Sequence, residues 1–207
     1  MKGAVVSQNN QAATVVAVVG SPRRKGNTAY VVDLVLDDLR RRGAHCEKIM
    51  LVDNRIAPCE GHDDCADRPV CALDDDAQSV HDKVYAADGV ILATPVYFED
   101  VSAQMKAWID RNEFPYSHEA RLRPKVVGLV VVTAETGIDE TLASLCRFVA
   151  LCAEDEVPPA YSAAGFAEEL GAAETAELAA AAATLAADMA KHLFQGPSGG
   201  VGAPARD

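Results

Sequence analysis

The sequence has little aromatic content: Phe, Trp and Tyr make up 5 % of its 207 residues, with a single Trp. No apolar run approaches the roughly 20 residues needed to span a bilayer, and residues 1–13 are small and polar rather than signal-like. The chain is therefore expected in the cytoplasm, with no membrane partner. Positive charge is also scarce. Lys and Arg total 19 against 31 Asp and Glu, for a formal net charge of −12. Long-range repulsion of that sign argues against nucleic acid or an anionic membrane surface as a partner. What is present is an ordinary globular balance, 49 % apolar and 24 % charged, in a chain long enough to bury about 70 % of its unfolded surface as one domain. Residues 1–195 are expected to form that domain, and residues 196–207, with their Gly and Pro, a disordered tail.

Two nucleotide-binding signatures are missing from the stretch that most resembles one. Residues 14–28 read TVVAVVGSPRRKGNT. Val15 to Val19 form a β-branched run without polar alternation, as in a strand covered on both faces. Gly20 ends the run. Asn27 and Thr28 offer side-chain oxygens where a helix must begin, and Val32, Val35, Leu36 and Leu39 recur behind them at helical spacing. Such a helix aims its unpaired N–H groups and positive dipole end at the loop. Arg23, Arg24 and Lys25 add positive charge there, in a chain that is otherwise acidic, although Arg24 and Lys25 also suit a solvated surface run. Gly26 is followed by Asn27 rather than Lys-Ser or Lys-Thr, so the loop is no P-loop. With only Gly20 and Gly26, it also lacks the three glycines of the dinucleotide fingerprint. A single terminal phosphate, as in flavin mononucleotide, fits what is left.

Strand and helix patterns then alternate along the chain. Residues 45–52 predict a second strand, residues 76–87 a helix, residues 88–94 a buried strand ending at Pro95, and residues 101–111 a helix facing inward through Val101, Met105, Trp108 and Ile109. Residues 125–133 predict a strand, 139–152 a helix with Cys146 and Cys152 as core thiols, 157–162 a short last strand, and 168–194 an Ala-rich helix. Arg40, Arg41 and Arg42 fall in the last turn of the first helix, where cations favour the dipole. About five alternations predict an α/β doubly wound parallel sheet with helices on both faces, for which the flavodoxin-like order 2-1-3-4-5 is one of two common solutions. That order places a ligand crevice at the carboxyl ends of the first, third and fourth strands. The loops there are residues 20–27, 95–100 and 133–138.

The segments GSPRRKGNT, PCEGHDDC followed by a further Cys and Asp-Asp, and ADGVILATPVYFEDVSAQMKAWIDR occur in this order. Together, over residues 15–132, they resemble the NAD(P)H-dependent FMN reductase and iron-sulfur flavoprotein branch of the flavodoxin-like superfamily. The resemblance implies that Ser21, Arg23, Asn27 and Thr28 hold the phosphate of FMN, with Gly26 letting the backbone close in. It implies that Pro95, Val96, Tyr97 and Phe98 border the isoalloxazine ring, and that the loop of Thr133, Thr136 and Gly137 serves the ring's far end. It further implies NAD(P)H as reductant, a small-molecule electron acceptor such as free flavin, a quinone or a nitro or azo compound, and a homodimer or larger homo-oligomer. No side chain is assigned a catalytic role, because the flavin carries the chemistry.

Residues 53–75 are too long for an idle connection. Iron-sulfur flavoproteins carry C-x2-C-x2-C-x5-C, and this chain keeps the spacing as Cys59, His62, Cys65 and Cys71, with His in the second place. Four thiolates are the usual complement of a [4Fe–4S] cluster, while three Cys and one His also suit tetrahedral zinc. The expectation is that no metal is bound and that the loop caps the flavin edge or forms a subunit contact. The alternative is an electron carrier that uses a cluster here and docks a protein partner.

Overall fold

A computed structural model describes residues 12–167 and 176–194. The beginning of the expected final helix, residues 168–175, and the expected tail lie outside the described residues. Five strands, β1 (Thr14–Val19), β2 (His45–Met50), β3 (Gly89–Pro95), β4 (Val126–Thr133) and β5 (Ala160–Phe166), pair in the order β2-β1-β3-β4-β5. Every pairing is parallel. The helices are α1 (Asn27–Arg41), α2 (Ala77–Tyr85), α3 (Ala103–Asp110), α4 (Glu113–Ser117), α5 (Ile138–Ala153) and α6 (Ala176–Phe194).

Side chains along a strand point alternately to its two faces, and both faces are covered. Val15, Ala17 and Val19 pack with Val31, Val35 and Leu39 of α1 and with Leu185 and Met189 of α6. Val16 and Val18 face the other way, into a layer with Val84 of α2, Met105 and Trp108 of α3, and Leu145 and Phe148 of α5. This two-sided burial explains why the central strands read as unbroken apolar runs. Each fully buried Val or Leu contributes about 1.5–3 kcal/mol relative to an exposed one. Arg40, Arg41 and Arg42 pair with Asp37 and Asp38 beside them, a surface ladder of modest worth.

Several expectations are corrected. The last strand runs over Ala160–Phe166 rather than residues 157–162, since Pro158 and Pro159 cannot donate to a ladder and the small residues that do pair carry weak strand propensity. Cys146 is exposed on α5, whereas Cys152 is buried. The N-cap of α1 is Gly26, with no side-chain hydrogen bond, so Asn27 and Thr28 are the helix's first residues rather than its cap. Helix α4, which contains Pro115, carries no sequence signal long enough to announce it. Among the described residues no helix is long and apolar enough to cross a membrane.

Candidate functional site

Parallel pairing brings the carboxyl ends of β1, β3 and β4 side by side, and the loops that leave them meet. The first loop is tied to the second at its root. Gly20 donates its N–H to the Ala93 carbonyl at 2.7 Å, and its own carbonyl accepts a 2.6 Å bond from Ser102 Oγ. The same hydroxyl accepts the Met105 N–H and so caps α3. Only glycine permits this approach: a Cβ on residue 20 would sit 2.8 Å from both Met105 Cβ and Ser102 Oγ. Further along the loop, Ser21 Oγ accepts the Arg23 N–H, and Gly26 N–H bonds the Arg23 carbonyl. Arg24 turns away to Asp53 at 2.5 Å, which leaves Arg23 as the arginine at the cleft.

The second loop is a tight hairpin in which Tyr97 and Asp100 exchange backbone hydrogen bonds. Its two central residues, Phe98 and Glu99, have φ of 53° and 60°. That is the left-handed conformation a two-residue type I′ turn demands, and it normally recruits Asn-Gly. Phe98 is fully exposed at the tip. The third loop folds on Thr133, whose hydroxyl donates to the Thr136 carbonyl and accepts the Glu135 N–H. Gly137, at φ +86°, lies so close to the hairpin that a Cβ would be 2.7 Å from Glu99 Cα. The second and third loops thus support each other.

Together they enclose a cleft of about 970 Å³, lined at one end by Ser21, Arg23, Gly26, Asn27 and Thr28, and elsewhere by Pro95, Val96, Tyr97 and Thr133. All nine were singled out in the sequence. Three others were not brought into the lining: Phe98 projects beyond the rim, Thr136 turns its carbonyl to Thr133, and Gly137 serves packing. Val132, Ala134, Glu135 and Ala167 also line the cleft and were missed, because no special residue type marks them. Ser102 was missed too, although a Ser just before a helical pattern is an N-cap signal. The donor set fits FMN: two hydroxyls, an Asn amide, a guanidinium and an uncapped helix end for a phosphate, and an aromatic and aliphatic wall for a ring system.

The sequence profile of the family described as NADPH-dependent FMN reductase matches residues 13–169. The chain belongs to that family. By class it is a flavin-dependent oxidoreductase, with a flavin as its cofactor. An iron-sulfur flavoprotein of Archaeoglobus fulgidus is 38 % identical over 151 residues, 73 % of this chain and 67 % of that protein. One of Methanocaldococcus jannaschii is 38 % identical over 136 residues, 65 % of this chain and 70 % of that one. Among solved structures, a flavone reductase superposes with a TM-score of 0.65 at 16 % identity, covering 87 % of this chain and 62 % of the other. An NAD(P)H:quinone oxidoreductase from Methanothermobacter marburgensis gives 0.64 at 16 %, covering 87 % and 97 %. At those identities the superpositions establish the flavodoxin-like fold.

A second, much smaller cavity lies under the cysteine loop. It has a volume of about 10 Å³ and is lined by Cys59, His62, Cys65, Cys71 and Arg111 among others. Arg111 is buried and grips Asp75 with both guanidinium arms, at 2.5 and 3.1 Å, while its Nη2 also donates to Cys71 Sγ at 3.2 Å. Burial opposes ionisation of Asp75, but Arg111 and the Ala57 and Ala77 N–H groups outweigh it and hold the carboxyl below its usual range. Burial, together with the neighbouring Cys59 and Cys71, pushes the Cys65 thiol up.

Proposed function

We propose that the cleft holds FMN and that this chain uses NAD(P)H to reduce it, passing the electrons to a second small acceptor such as free flavin, a quinone or a nitro or azo compound. The observation that carries this reading is the cleft's two-ended lining, an anion cradle at Arg23 and a ring wall at Tyr97, in a chain of this family. When bound, the flavin supplies the hydride chemistry. The chain's own residues do the rest. Ser21, Arg23, Asn27 and Thr28 would fix the phosphate, aided by the dipole of α1. Pro95, Val96 and Tyr97 would align the ring, and the Ala134–Glu135 backbone would meet its polar edge. Phe98, exposed at the mouth of the cleft, is available to an incoming ring or to a neighbouring copy in a homodimer.

The test is to titrate the purified chain with FMN by fluorescence, then to follow NADH and NADPH oxidation with flavin, quinone and nitroarene acceptors. Tight binding and ping-pong kinetics are expected. A colourless chain that ignores FMN would sink the proposal. The curated relatives are named iron-sulfur flavoproteins, which favours as a second reading a cluster in the cysteine loop; the chain would then act as an electron carrier for a protein partner.

A further inference from the structure

The relatives' name implies an iron–sulfur cluster, and the residues of this chain do not fit one. A [4Fe–4S] cluster takes four thiolates as its usual complement, and here the second position of the spacing is His62. The cavity these four side chains share with Arg68, Arg111, Glu113 and Phe114, at about 10 Å³, has room for about one water molecule. Among the described residues no group of three or more His, Cys, Asp or Glu side chains is placed to hold a metal ion. Cys71 is already engaged by Arg111.

The loop is instead held by protein. At its start, Ala57 N–H donates to Asp75 and its carbonyl accepts from Arg111, at 2.9 and 3.0 Å. Arg55 N–H donates to Asp76 at 2.7 Å. In the middle, the His118 ring donates to the Arg68 carbonyl at 2.8 Å, and Arg68 pairs with Asp64. Each of these bonds does a job that a cluster would do by ligation, namely to bring residues 55–76 together over a thiol-lined floor.

We infer that in this chain the cysteine loop is a clasp centred on Arg111 and not a cluster site, and that the acceptor takes both electrons at the flavin cleft itself. The inference rests on the flavin reading above. Its balance is NAD(P)H, a proton and an organic two-electron acceptor giving NAD(P)⁺ and the dihydro acceptor, with no one-electron protein carrier between them.

The experiment is to express the full chain anaerobically with iron and sulfide supplied, and to measure iron, zinc, acid-labile sulfide, FMN and quinone reduction on the same sample. Cys65→Ser is carried alongside. The expected result is FMN without stoichiometric metal or sulfide, full quinone reduction, and unchanged flavin content, rate and melting temperature in Cys65→Ser. Stoichiometric iron with sulfide and a broad absorption beyond the flavin bands would overturn the inference while leaving the flavin reading intact. So would stoichiometric zinc, or a Cys65→Ser chain that loses a metal. A metal-free chain that binds FMN but reduces only a protein acceptor would overturn the electron route, and one that binds no FMN would remove the flavin reading as well.

Discussion

Arg23 is the residue on which the cofactor assignment turns. Arg24 is occupied by Asp53, so the guanidinium that lines the cleft has no duplicate in the next residue of the loop. Arg23→Ala is expected to weaken FMN binding by about 1.5–3 kcal/mol, the scale of a hydrogen bond to a charged group, with stability unchanged because the side chain is exposed. Fluorescence titration reads the first and thermal unfolding the second, and equal affinity in both chains would count against a phosphate at this end. Residues of this kind were legible because their chemistry is local: a basic loop, a glycine after a β-branched run, a proline opening an aromatic turn. The long-range ties of Ser102 and Arg111 were not, although the N-cap position of Ser102 was. Their partners, Gly20 and Cys71, lie 82 and 40 positions away, and only the folded sheet brings them together.

At the scale of the element, the Tyr97–Asp100 hairpin is built against its own preference. A type I′ turn carries φ above zero at both central residues, and each non-Gly residue there costs about 1–2 kcal/mol. Phe98→Asn with Glu99→Gly should therefore raise stability by about 1–3 kcal/mol, measured as the urea midpoint. If Phe98 serves the acceptor, the same variant should lose quinone turnover while keeping FMN affinity. A variant both more stable and fully active would mean that the turn's sequence has no part in the reaction. The sequence announced the aromatics but not the strain, since the turn type depends on how β3 hands over to α3. The edge strand β5 was misplaced for a related reason: Ala163, Ala164 and Gly165 pair with β4 without the residue types that advertise a strand.

At the scale of the whole molecule, the parallel sheet was readable from alternation and its order from the resemblance, while its sensitivity to acid was readable from neither. His81 on α2 is buried, and that burial, opposed by a hydrogen bond to the Trp108 backbone and assisted by the charge of Arg111, lowers its pKa from 6.5 to about 4. The folded state thus favours neutral imidazole. Its contribution is complete above pH 6.5 and is lost as pH falls towards 4. Between pH 7 and pH 5 the loss is about 2 kcal/mol. Urea denaturation at the two pH values should show it, and His81→Leu should flatten the dependence. An equal slope in both chains would place the acid sensitivity elsewhere. Asp75 and Asp88, whose carboxyls are held below their usual range, add losses at still lower pH.

The Ser102 hydroxyl has a kinetic consequence. Because it caps α3 and grips the Gly20 carbonyl at once, the floor beneath the Arg23 end of the cleft and the start of the helix beneath the Tyr97 end cannot open separately. Amide exchange at Gly20 and Met105 should follow one common opening, with matched protection factors. In Ser102→Ala the two should decouple, so that breathing at one end of the site no longer reports on the other.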